Sequence, residues 1–244
     1  AMRYLLLLFC LALWELAARV GWIDPFIGSS PSRLWAAILR LYQAGELWGH
    51  IGVTLLETVV GFVAGTLLGT LAAVFLWWSA TLNRILDPYL VILNALPKIA
   101  LGPILIVWFG AGMKSIIVMG LLISLVVTIM SVLAGFNAIT DEKQLLMRTL
   151  GASKMQILTM VVLPASLPTI MNALKISVGM SWVGVIVGEY LVSKAGLGYL
   201  IVYGGQVFNL DLVMASIVIL CLLAAIMYYG VAYLERRICQ RVGA

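Results

Sequence analysis

The side chains of this chain that could do chemistry are few and scattered. Asn94, Lys98, Ser181, Trp182 and Glu189 are hydrogen-bonding or charged groups set among apolar neighbours. Such groups are costly at membrane depth, so each either lines a path for a polar solute or is held by a partner. Lys98 could attract an anion, or it could mark an external loop between two spans. Glu189 could face a solute, or it could pair with Lys194 on the next segment. The single histidine, His50, precedes a span, has no metal-ligating companion and reads as an interface residue. Cys10, Cys221 and Cys239 show neither metal spacing nor a disulfide framework. The sequence holds no G-x-x-x-x-G-K-[ST] loop, no paired carboxylates, no zinc-ligand spacing and no nucleophile elbow. It therefore offers no enzyme chemistry and no ATP site of the P-loop kind. The scarcity of deep charges also argues against a pump driven by buried carboxylates.

The elements that must carry these groups are membrane spans. Hydrophobic residues make up 64% of the 244 and charged residues only 10%, where soluble domains carry roughly 25% charge. That much apolar surface needs lipid as its solvent. The expected architecture is an all-α integral membrane protein of about six transmembrane helices, one domain over residues 1–244. A first span covers 2–20, and an external connection with an amphipathic helix covers 21–52. A five-span core covers 53–234 and includes a cytoplasmic loop at 138–168. The Leu-rich first span resembles a signal peptide, but no A-x-A site follows, so a retained helix is expected. In the connection, Ser30 or Ser32 can cap a helix with Pro31 in its first turn. Leu34, Trp35, Ile38, Leu41 and Tyr42 recur there at helical spacing, which suits a helix lying flat on the membrane.

The second span runs from about Val53 to Trp78, with Trp48 and the Trp77–Trp78 pair suited to its two interfaces. Gly61, Gly65 and Gly69 recur every four residues, a pattern that permits close helix packing in lipid. Asn83 to Asp87 reads as a short turn. The third span, from about Pro88, is interrupted, because Asn94, Pro97, Lys98, Gly102 and Pro103 fall together. Broken backbone at membrane depth is tolerated where protein or water covers it, as along transport pathways. Further spans are expected at about Ser115–Phe136, Ile170–Val192 and Leu212–Leu234. The glycine-rich Ser193–Leu210 is too short and polar to cross. With the N-terminus inside, the inner side holds Arg3, Arg84, Lys143, Arg148, Lys154, Lys175, Arg236, Arg237 and Arg241. The outer side holds Arg19, Arg33, Arg40, Lys98, Lys114 and Lys194. This excess fits the positive-inside rule and places both termini in the cytoplasm. The net charge of +5 is read the same way, not as nucleic-acid affinity.

Between the fourth and fifth spans lies the longest charge-bearing stretch, Asp141 to Pro168. It reads as two short helices. Thr140 can cap the first, with Asp141 and Glu142 in its first turn. Gly151 ends it in the left-handed conformation. Ser153 can cap the second, and Pro164 and Pro168 then break the pattern before the fifth span. Leu146 and Leu150 share a face, flanked by Leu145 and Met147. Such a helix either rests on the bilayer surface or docks a soluble partner.

The run LGASKMQILTMVVLPASLP resembles the cytoplasmic loop signature of ABC importer permeases. In that family an EAA triplet is followed, after three residues, by a glycine, and about a dozen residues later by a Leu-Pro pair. Gly151 and Leu163–Pro164 keep this spacing, while Leu145, Leu146 and Met147 occupy the triplet. LGASKMQI with VVLPASLPTI, the segment Leu86 to Gly112 and the segment EYLVSKAGLGYL (Glu189 to Leu200) are similar to the nitrate/sulfonate/taurine branch. The resemblance covers most of the chain from about Thr54 onward. It implies the type I ABC importer permease fold, in the bacterial cytoplasmic membrane. It also implies a second permease copy, most simply a homodimer, and an extracytoplasmic solute-binding protein delivering a small anionic or zwitterionic solute. ABC ATPase subunits, carrying ATP and Mg, would grip Leu145, Leu146, Met147, Leu150, Gly151, Ala152 and Ser153. The chain itself would hold no cofactor. Two other readings stay open: the membrane component of an energy-coupling-factor vitamin importer, and a non-transport membrane scaffold.

Overall fold

The computed structural model describes residues 2–22 and 28–242. Every regular element among them is helical. In chain order these are α1 (Met2–Val20), α2 (Pro31–Gln43), α3 (Leu47–Trp78), α4 (Ala80–Ala95) and α5 (Gly102–Phe109). There follow α6 (Met113–Asn137), α7 (Asp141–Thr149), α8 (Lys154–Ile157), α9 (Leu163–Val192), α10 (Leu197–Gln206) and α11 (Leu210–Val242). A 3₁₀ turn at Lys98–Leu101 precedes α5, and a π turn at Leu158–Val162 joins α8 to α9. Among the described residues four stretches are long and apolar enough to cross a membrane: α3, α6, the run Lys154–Val192, and α11. A fifth is the expected interrupted span, where α4 and Lys98–Phe109 meet at a 90° bend. The sixth expected span, α1, is a 19-residue helix that carries Arg3, Glu15 and Arg19 and stands outside that set.

Three boundaries differ from the sequence reading. Asn83 to Asp87 is helical, not a turn, because Ser79 alone makes the connection, its side chain accepting from the Leu82 N–H. Pro164 and Pro168 do not break the chain before the fifth span. The hydrogen-bond register widens to the π form just ahead of Pro164, where an amide is missing in any case, and the helix continues. The last span does not end at Leu234: α11 continues to Val242, with Glu235 paired to Lys175 at 2.9 Å and Arg237 stacked 4.9 Å from the Tyr233 ring.

Residues 1–56 and 189–223 form one compact unit. There α2 is capped by Ser30, which accepts from the Arg33 N–H. Its stripe divides, with Leu34 and Leu41 buried and Trp35 and Tyr42 exposed. Asp211 on α11 holds the helix start, accepting from Ser29 at 2.7 Å and pairing with Arg33 at 2.9 Å.

Residues 57–188 and 224–244 form the other unit. Its centre is α6. On one face α6 meets the α3 glycine row, where a Cβ on Gly69 would lie 2.8 Å from Thr128 Cβ. On another it crosses α9 at two glycines, where a Cβ on Gly184 would lie 2.6 Å from Gly120 Cα. A Thr128–Ser177 hydroxyl pair at 2.7 Å and a bond from Ser166 Oγ to the Gly135 carbonyl at 3.1 Å tie α6 to α9. Small residues thus let backbones approach where lipid supplies no hydrophobic drive.

Candidate functional site

The segment after α6 is a pair of short helices braced against the spans. Thr140 occupies the N-cap position of α7 without a side-chain capping bond. The other end is tightly specified. Gly151 has φ +83°, its N–H reaches the Arg148 carbonyl, and the Ala152 N–H reaches the Met147 carbonyl. This is a Schellman ending, which requires the left-handed residue at Gly151. Ser153 then starts α8 with a reciprocal capping box: its Oγ accepts from the Gln156 N–H, and Gln156 Oε1 accepts from the Ser153 N–H at 2.7 Å. Met147 and Ala152 pack against a buried core that includes Leu76, Phe136, Ile157 and Val162. Leu145, Leu146 and Leu150 face outward, 61–75% exposed. The seven residues expected at this site therefore sort into an outward apolar face (Leu145, Leu146, Leu150), inward anchors (Met147, Ala152) and the joint between them (Gly151, Ser153).

In the other unit, Glu189 is buried in a clamp at the start of α10. The N-cap of α10 is Gly196, which has no side chain to offer its own first turn. Acceptors from elsewhere do so instead. The Gly196 N–H bonds His50 Nδ1 at 3.0 Å, the Leu197 N–H bonds Thr54 Oγ1 at 2.8 Å, and the Gly198 N–H bonds Glu189 Oε2. The Thr54 hydroxyl in turn donates a hydrogen bond to Glu189 Oε1 at 2.6 Å. A Cβ at Gly196 would overlap the Glu189 carboxylate. His50 stacks on Tyr199, and Tyr199 on Tyr203, each pair 6.0 Å between centroids. Glu189 is thus held by a hydroxyl and a backbone amide.

The remaining pathway candidates fall in two places. Asn94 and Lys98 meet at the bend after α4, Lys98 Nζ donating to the Asn94 carbonyl at 3.0 Å. Ser181 and Trp182 are both buried on α9, and neither Ser181 Oγ nor Trp182 Nε1 has a hydrogen-bond partner among the described residues. Trp182 also lines a groove of about 680 Å³ with Asn172, Lys175, Gly179, Tyr228 and Tyr229. Sequence reasoning missed the clamp roles of His50 and Thr54. Their four-residue spacing was visible, but their partners lie 135 or more positions away.

Comparison with known proteins agrees with this architecture. Residues 65–240 match the family model of the binding-protein-dependent transport system inner membrane component. A probable ABC transporter permease protein of Haemophilus influenzae is 34% identical, over 93% of this chain and 92% of its own. The taurine transport system permease protein TauC of Escherichia coli is 28% identical, over 93% and 85%. A putative aliphatic sulfonates transport permease protein SsuC of the same organism is 30% identical, over 92% and 86%. Among solved structures, a chain of the MetNI methionine ABC transporter in an inward-facing form shares the fold, with a TM-score of 0.68 at 23% identity, covering 82% of this chain and 97% of that one. By this match over most of its length, the chain belongs to the binding-protein-dependent inner membrane components, the permease subunits of ABC importers.

Proposed function

We propose that two copies of this chain form the path by which a small anionic or zwitterionic solute, of the sulfonate or taurine kind, enters the cell. ATPase subunits bind ATP and Mg, grip α7 and move it; an extracytoplasmic binding protein delivers the solute; both termini face the cytoplasm. The observation that carries this reading is the division of α7 and the joint after it. Leu145, Leu146 and Leu150 are turned out, with nothing among the described residues to cover them, while Met147 on α7 and Ala152 in the joint after it root the segment in the core of the spans. An apolar face on a braced lever fits a partner that must push as well as bind. The similarity to taurine and aliphatic sulfonate transport permeases supports the solute class. The second copy is supported by α4, an apolar helix that buries none of its residues within one chain. Family membership favours neither the vitamin-importer component nor the scaffold.

The test is purification from the native membrane in mild detergent, with the companions identified by mass spectrometry. An ABC ATPase at one copy per permease is expected, and a chain that arrives with no ATPase sinks the docking assignment. Once the complex is in proteoliposomes with its binding protein, labelled taurine should be taken up and displaced by short alkanesulfonates. Failure of both to compete for uptake moves the solute to another class.

A further inference from the structure

The C-terminal end of α3 has last-turn carbonyls to satisfy and no basic side chain of its own there. Lys154, 76 positions away in sequence, supplies the missing cation. Its Nζ donates to the Trp78 carbonyl and lies 5.7 Å from the Trp77 ring centroid and 5.5 Å from that of Trp78. A cation is favoured at a helix C-terminus by the dipole and over an indole by the ring quadrupole. One ammonium meets both conditions. Lys154 is also the first residue of α8, directly after the Ser153 cap, where the dipole of its own helix disfavours a cation. The favourable contacts of this side chain therefore lie on α3.

Trp77 carries the connection further. It meets Phe136 edge-on, 6.4 Å between centroids at 71°, and Phe136 is fully buried in the last turn of α6. The two roots of the loop, α6 before it and α8 after it, are thus joined through the aromatic pair at the end of α3. We infer that Lys154 is a positioning residue that fastens the loop to α3, so that a displacement of the loop is passed to that span as well as to α6 and α9. The inference rests on the reading that ATPase subunits grip the loop.

The test compares wild-type, Lys154→Met and Lys154→Arg permeases, each with its ATPase subunits in nanodiscs. Lys154 is exposed and Met matches its helix propensity, so the fold is kept while the charge is lost. Hydrogen exchange is followed at 141–157 and at 74–78, with and without ATP and vanadate. In wild type and Lys154→Arg, nucleotide should change exchange in both segments. In Lys154→Met the change should stop at 141–157, and basal exchange at 74–78 should be about five- to tenfold faster, as expected for losing a cation from a helix end and two rings. A wild-type nucleotide response at 74–78 in Lys154→Met overturns the inference while leaving the docking reading intact. Loss of the ATPase subunits from Lys154→Met alone would make the lysine a docking contact, and also overturns it. A wild-type loop that ignores nucleotide overturns the docking reading and this inference together.

Discussion

At the scale of single residues, Glu189 and Gly151 show two different reasons for one residue type to be required. The Glu189 carboxylate accepts from Thr54 and from the Gly198 N–H, and the Thr54 oxygen in turn receives the Leu197 N–H. Glu189→Gln keeps the volume but removes the charge toward which the Thr54 hydroxyl and the Gly198 N–H point, and one of the two acceptor oxygens. Losing a hydrogen bond to a charged group costs about 1.5–3 kcal/mol, and for a chain of this size each kcal/mol lowers the melting temperature by roughly 2–4 °C. The detergent-solubilised permease should therefore melt several degrees lower, and an unchanged melting curve would show that the clamp does not hold α10. At Gly151 the requirement is backbone alone. Apart from its chain neighbours, no described residue has an atom within 4 Å of a Cβ built there, yet φ is +83°. Gly151→Val should abolish ATP-driven uptake while leaving membrane insertion intact. Gly151→Asn should retain most of the transport, since asparagine visits the left-handed region. Equal loss in both variants would point to space or chemistry at the position and away from the turn.

At the scale of elements, the sequence is legible where one residue decides a local geometry and obscure where a distant partner does. Gly151, Ser153 and the Gly61–Gly65–Gly69 row stood out because a left-handed turn, a cap and a close helix crossing each have a local signature, and all three occur in the structure. The prolines misled because their cost depends on whether the helix can change register around them, and the π turn before Pro164 lets it do so. The α10 clamp and the Lys154 contact were hidden because they join segments far apart in sequence. The crossing of α6 and α9 at Gly120 and Gly184 was hidden too, since a single glycine in each helix has no period to reveal it. This crossing gives an element-scale prediction. Gly184→Ala places a methyl 2.6 Å from Gly120 Cα, a backbone atom that cannot turn away, whereas Gly179 on the same helix has nothing within 4 Å. Gly184→Ala should sharply reduce the yield of monodisperse protein on size exclusion and Gly179→Ala should not. Equal yields would mean the two helices can separate without loss.

At the scale of the whole molecule, the chain is a multi-pass protein of the bacterial inner membrane, and its charges decide which way it faces. Trp48 and Trp78 stand at the two ends of one 32-residue helix. Thirty residues at ~1.5 Å each separate them by ~45 Å, the thickness of a bilayer with its headgroups. The end at Trp78 lies beside Lys154 and the cationic loop. Cations near the ends of spans are retained on the cytoplasmic side, so the loop should be inside. The C-terminal end of α11, with Arg236, Arg237 and Arg241, should be inside for the same reason. The cysteines make this measurable. Cys10 and Cys221 are exposed along apolar helices that lipid would cover, whereas half-buried Cys239 sits in the basic end of α11. With Cys10 and Cys221 replaced by serine, a membrane-impermeant maleimide should label Cys239 in inverted vesicles and spare it in intact spheroplasts. Labelling in spheroplasts would turn the molecule over, put α7 outside the cell and remove any ATPase from its reach. The orientation of one thiol therefore tests the coupling assignment without knowledge of the solute.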